Sequence, residues 1–307
     1  MNYSFGPGTM PGMIAVRIFE ITFPIFVVIL AGLLYARRFR PDMTLPNQLN
    51  MHVFTPALLF TVLIERAGVT GLFGPLAFGC ALIILLSGII AWGIARSLHI
   101  DPRSLCPPLM FANAGNLGLP LIVLTFGEEA LGEAVVVFIT CNFLHITLGS
   151  YIFSRHTDLL KVFMSPMILA TLLALTLLLL NVTVPELILQ PVSMLGNIAV
   201  PLLMFSLGVR LLETELSEWR IGTLAAVLAP LIGVILVFII TPLLDLTKLE
   251  QGVLFLFGAL PPAVMNFIFA EHFRQEPAKV ASMVLYGNAF SIVSIPLALA
   301  YVLPRFG

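Results

Sequence analysis

Ten long apolar stretches recur along this chain, and they leave it little choice but to fold in a lipid bilayer. The hydrocarbon core takes roughly 20 apolar residues per helix. Stretches of that kind lie near residues 15–36, 46–64, 74–96, 106–126, 131–153, 162–181, 190–211, 221–243, 251–271 and 280–303. Only 10% of the 307 residues are charged, against about 25% in a soluble domain, so a chain this apolar would aggregate in water. No gap between spans holds a soluble domain, and no G-x-x-x-x-G-K-[ST] loop occurs, which leaves ion or solute gradients as the energy source for any transport. A net charge of −1 gives no electrostatic footprint for a nucleic-acid partner. Cys80, Cys106 and Cys141 lie in or beside apolar runs without a C-x-x-C pair. They read as small buried residues, with neither a disulfide framework nor a metal site. The first dozen residues lack the positive segment of a signal peptide, so the first apolar run is expected to remain as a span.

Basic residues set the expected orientation. Arg37, Arg38, Arg40, Arg96, Arg103, Arg155, Lys161, Arg210, Arg220, Arg274 and Lys279 fall in alternate loops. Arg17, Arg66, Lys248 and Arg305 fall on the other side. By the positive-inside rule the first set faces the cytoplasm. A multi-pass protein of the cell inner (cytoplasmic) membrane with both termini outside is therefore expected.

The two halves of the chain echo each other. Pro56-Ala57-Leu58-Leu59-Phe60-Thr61 matches Pro201-Leu202-Leu203-Met204-Phe205-Ser206, and Asn142 falls opposite Asn288 at nearly the same offset. Five spans per half make the second half enter the membrane from the opposite face, the inverted repeat of many secondary transporters. The predicted fold is thus all-α integral membrane, ten transmembrane helices as a 5+5 inverted repeat, residues 1–156 and 157–307. The alternative is that the prolines merely kink two unrelated helices.

Span four reads Phe111-Ala112-Asn113-Ala114-Gly115-Asn116-Leu117-Gly118-Leu119-Pro120, and span nine carries Gly258-Ala259-Leu260-Pro261-Pro262 before Asn266. Glycine costs a helix roughly 1 kcal/mol and proline about 3, so both spans are expected to break. Paired breaks in corresponding spans point to a binding site. A half-helix resuming after Pro120, and another after Pro262, would each aim a positive dipole end at the membrane centre. Amides of Asn113, Asn116 and Asn266, with Asn142 and Asn288 nearby, complete a candidate site for a carboxylate. Gly115 and Gly118 are also explained by close helix packing alone.

Here the residues resemble a known family. The run Asn113, Gly115, Asn116, Gly118, Pro120, the P-x-L-x-F-[ST] spans, and the ending Ala281-Ser282 through Asn288, Ser291 and Pro296 are similar to the auxin efflux carrier family. That family includes plant PIN-type carriers and bacterial permeases assigned to malate or malonate. The resemblance implies a fold like that of bile-acid symporters, with spans four and nine broken and crossing. It also implies a scaffold from spans 1, 2, 6 and 7 and a mobile transport domain from spans 3–5 and 8–10. Only about eight residues link spans five and six, so the regulated loop of plant members is not implied, and neither is auxin.

Few ionisable residues lie in the spans, in keeping with their cost of at least about 2.5–3.5 kcal/mol each. His145, His52 and Glu20 are candidates for proton coupling, each with the alternative of a satisfied structural role. Thr140, Ser291 and Ser294 are candidates for coordinating Na⁺. No cofactor is expected beyond H⁺ or Na⁺ as a coupling ion. The favoured function is a secondary transporter exporting a small organic anion, or passing it by facilitated diffusion. A coupled symporter is the alternative, and a channel is less favoured because paired breaks suit alternating access. No H-E-x-x-H or G-x-S-x-G motif suggests an enzyme, and Cys141 with His145 is a weak Cys/His pair. The expected partners are the anion and the bilayer, with a homodimer left open.

Overall fold

The computed structural model describes residues 11–67, 74–153, 164–213 and 218–306. Arg155 and Lys161, the 156/157 division between the halves, and the side chain of Arg66 lie outside the described residues. Within them the chain is helical, with no strand. In order come α1 (Pro11–Phe39), α2 (44–67), α3 (Pro75–Ser97), α4 (Pro102–Met110), α5 (Ala114–Phe126) and α6 (Glu128–Phe153). There follow α7 (Pro166–Leu179), α8 (Glu186–Glu213), α9 (Trp219–Ile240), α10 (Lys248–Gly258), α11 (Met265–His272) and α12 (Pro277–Phe306). Six helices, those at α1, α3, α6, α8, α9 and α12, are long and apolar enough to cross a membrane.

Helix ends follow local chemistry. Asp101 caps α4 by accepting from the Arg103 amide at 2.9 Å. Thr247 and Glu250 form a reciprocal capping box at α10, which satisfies two amides that the first turn leaves without helical acceptors. Pro75 and Pro166 sit at the starts of α3 and α7, where a missing N–H costs nothing.

On α1, Ile21, Ile25, Ile29 and Ala36 are buried while Phe19, Phe23, Leu30 and Leu34 are exposed. Apolar side chains on both faces suit a helix with protein on one side and lipid on the other. The buried face of α1 packs along α8, α8 against α2, and α2 against α7. Cβ atoms built on Gly32 and Gly208 would collide with the carbonyls of Phe205 and Ile29 respectively. Only glycine permits this reciprocal approach, the small-residue packing that substitutes for the hydrophobic effect in lipid. The other helices form a second packed group, in which α9 runs against α12 and α3, and α3 against α4 and α6. Its centre is closely filled, with Ile84, Leu105, Phe111 and Leu121 all fully enclosed.

Candidate substrate site at two paired breaks

Both interruptions expected from composition are present. Helix α4 stops at Met110 and α5 begins at Ala114; α10 stops at Gly258 and α11 begins at Met265. The breaks are joined to each other. Asn113 donates its backbone N–H to the Pro261 carbonyl at 2.8 Å, and Ala263 donates to the Phe111 carbonyl at 2.8 Å. Ala112 and Pro262 thereby pair as a single antiparallel bridge. Unwound backbone inside a membrane costs several kcal/mol per unsatisfied group, and each break satisfies the other. Pro261 and Pro262 help because proline brings a carbonyl and no donor.

Asparagine amides complete the joint. Asn113 Nδ2 donates to Asn288 Oδ1 at 2.8 Å, and Asn288 Nδ2 donates to the carbonyls of Pro262 (3.0 Å) and Val284 (2.8 Å). Asn266 Nδ2 donates to the carbonyls of Phe111 (3.2 Å) and Ala263 (3.0 Å). All three asparagines are buried. Their donors hold the crossing together, a role different from the direct substrate contacts expected of them.

Beside the crossing lies a cavity of about 120 Å³. A water needs roughly 10–15 Å³ by this measure, so the space admits a small solute. Ala114, Gly115 and Asn116 line it from the first turn of α5, and Val264 and Met265 from the start of α11. First-turn amides have no intrahelical acceptor, so two positive dipole ends border one space. Among the described residues the Asn116 side chain makes no hydrogen bond and lines the cavity. On the opposite wall Asn142 contacts Met167 Sδ at 3.3 Å. His145 stacks on Phe111 with centroids 4.2 Å apart and meets Phe269 edge-on at 5.3 Å. Its Nε2 is buried without a hydrogen-bond partner.

The other sequence candidates divide. Asn113 reaches the cavity as well as the crossing. Pro120 does not: α5 restarts six residues before it, through a π-helical turn at Ala114–Gly118, which corrects the expectation that the half-helix resumes after Pro120. A proline ring clashes with the carbonyl four residues back, and the wider turn relieves that clash without ending the helix. Gly118 is buried beside Leu260. Thr140 donates to the Val136 carbonyl at 2.8 Å, and Ser291 donates to that of Asn288 at 2.6 Å. Neither they nor Ser294 line the cavity. His52 is exposed, and Glu20, also exposed, pairs with Arg17 at 3.2 Å. Sequence reasoning passed over Asn47, Asn50, Thr55, Ser206 and Arg210, which also line the cavity. Only Ser206 carried a signal, as the last residue of a repeated segment.

A family described as membrane transport protein matches residues 152–299, including the second break. The match spans just under half of the chain and supports its resemblance to the auxin efflux carrier family. The chain is also 24% identical over 269 residues to a protein named an uncharacterized transporter of Methanocaldococcus jannaschii, covering 82% of this chain and 87% of that one. The two matches, with six helices of membrane length, support a multi-pass membrane protein of a transporter family.

Proposed function

We propose that the protein is a secondary transporter that carries a small organic anion, a carboxylate, across the cytoplasmic membrane by alternating access. One observation carries the reading: the first turns of α5 and α11 border a single cavity, with the uncommitted Asn116 amide between them and, among the described residues, no acidic side chain lining it. Two dipole ends and free amide donors favour an anion. One charge crossing 100 mV is worth about 2.3 kcal/mol, roughly fiftyfold in concentration. With the cytoplasm negative, voltage alone drives export of a monoanion, so export or facilitated diffusion needs no co-ion.

In this reading α2, α7 and the joined pairs α4–α5 and α10–α11 also span, giving ten spans as two inverted sets of five. The matching segments Pro56–Thr61 and Pro201–Ser206 lie on α2 and α8, which pack together so closely that a Cβ on Gly196 would stand 2.8 Å from the Leu58 backbone. That contact supports a pseudo-twofold arrangement. The α1, α2, α7, α8 group would be the scaffold and the second group the moving part, with both termini outside. Trp92 beside Arg96 and Trp219 beside Arg220 suit an interface on the cytoplasmic side.

Flux of a radiolabelled carboxylate into proteoliposomes tests the reading. Saturable flux that follows the imposed voltage without a Na⁺ or H⁺ gradient is expected. Unsaturable ohmic conductance would favour a channel, and uptake only with an ion gradient would favour a symporter. The buried, unpartnered Nε2 of His145 is the observation behind a proton-coupled version, which predicts substrate-dependent alkalinisation on the side that supplies protons.

A further inference from the structure

We infer that Arg210, together with Ser206 one turn before it, is the device that selects and holds the anion's negative charge. This assignment rests on the proposed function and adds a specificity-determining pair that the breaks do not supply. Residues four apart share a helix face, and Leu203, Ser206 and Arg210 all present that face of α8 to the cavity. Among the described residues Arg210 is the one Lys or Arg lining it.

Two observations single out this edge. First, a buried hydroxyl in a helix ordinarily donates to the carbonyl four residues back. Thr22, Thr61, Thr125, Thr140 and Thr171 all do so here, at 2.6–3.0 Å. Ser206 is 2% exposed, yet its Oγ has no partner. A buried unpaired hydroxyl is destabilising, and a bound carboxylate oxygen would offset that. His145, whose Nε2 is also buried and unpartnered, lines the same cavity, so a second polar group there has no partner within the protein.

Second, Arg210 stands at a throat. It lines both the inner cavity and an adjoining vestibule of about 570 Å³, with Asn47 and Met51 shared between the two spaces. Asp42 and Glu271 line the vestibule, so an anion crossing it meets like charges until it reaches Arg210. Arg210 already takes part in an interaction within the protein. A guanidinium has five N–H donors, enough to accept a carboxylate as well. Placing the cation on α8 and the dipole ends on α5 and α11 divides the labour: the breaks orient the solute, and α8 reads its charge.

Proteoliposomes holding the full chain test this with benzoate, succinate and indole-3-acetate as probe anions, each set against its uncharged amide. For an anion carried by the unaltered protein, Arg210→Gln should raise KM at least tenfold with kcat changed less than threefold, and should erase the preference for acid over amide. Arg210→Lys should recover part of the affinity, since it keeps the charge but loses the bidentate fork. Ser206→Ala should raise KM about threefold to tenfold. If Arg210→Gln does not fold, Arg210→Lys and Ser206→Ala decide the matter. Unchanged KM and unchanged acid preference in the folded variants would overturn the assignment while leaving anion transport intact. Transport of no anion by the unaltered protein would instead overturn the functional reading.

Discussion

Replacing Asn288 with leucine tests whether the crossing is a joint held by side-chain amides. Leucine matches asparagine in side-chain heavy atoms and branching, so no cavity is left as it would be by a truncation. The substitution leaves Asn113 Nδ2 and the Pro262 carbonyl without their partners. Val284 O loses a second bond but keeps its helical one. Two buried groups at about 1–3 kcal/mol each give a loss of roughly 2–6 kcal/mol. Apolar contacts of the new side chain return on the order of 1–2 kcal/mol, for a net loss of about 1–4 kcal/mol. At 2–4 °C per kcal/mol for a chain of this order, the melting point in mild detergent should fall by about 2–16 °C. Size-exclusion chromatography after heating reads this directly. Asn113→Leu should cost a comparable amount. The double variant should cost less than the two single losses together, by about 1–3 kcal/mol, because it also removes the orphaned Asn113 donor. A melting point within 1 °C of the unaltered protein, or strict additivity in the double variant, would refute the joint.

Asn116→Leu should leave the fold intact, since its side chain makes no hydrogen bond among the described residues, and should abolish the thermal shift produced by carboxylates; an unaltered shift would remove Asn116 from the site. Gly208→Leu should drive α1 and α8 apart at the Ile29 carbonyl and destabilise by more than about 2 kcal/mol, seen as loss of the monodisperse peak, whereas Gly12→Leu, with open space around it, should not. Partial burial pushes the Glu276 carboxyl up, but hydrogen bonds from Lys279 and Ser104 outweigh it and hold it below the usual 4.5. The ionised form therefore stabilises the folded state above about pH 4.5, and the contribution is lost as pH falls through the lower folded value. Ser104→Ala, which removes a 2.6 Å bond to Glu276, should weaken that acid dependence in a melting-point series from pH 7 to 3.

Much of this architecture is legible in the chain because lipid imposes simple rules. Apolar runs of membrane length located the helices to within a few residues, as with 280–303 against Pro277–Phe306. Glycine, asparagine and proline inside those runs located both breaks. What stayed hidden depends on contacts distant in sequence. Nothing in Asn113 or Asn288 alone says that they bond across 175 positions, so their amides read as free donors when they are structural. Pro120 read as the start of a half-helix because composition cannot distinguish a break from a π turn. Arg210 read as a loop charge, since counting basic residues assigns every arginine at a helix end to the aqueous side. Its place at a throat follows only from how α8 packs beside α2 and the breaks.

The π-helical turns carry one further consequence. Three of them, Asn50–Phe54, Ala114–Gly118 and His145–Gly149, contribute residues to the cavity wall. Such a turn holds one residue too many for the α-helical register. Passing that surplus one position along the helix swings a side chain by about 100° about the axis while every amide keeps an acceptor. Inside a bilayer, where a bare amide is so costly, this is a low-barrier way to rotate Asn50, Asn116 or His145 into or out of the solute's path. Sliding such a defect would reface the cavity wall without unwinding any of the three helices.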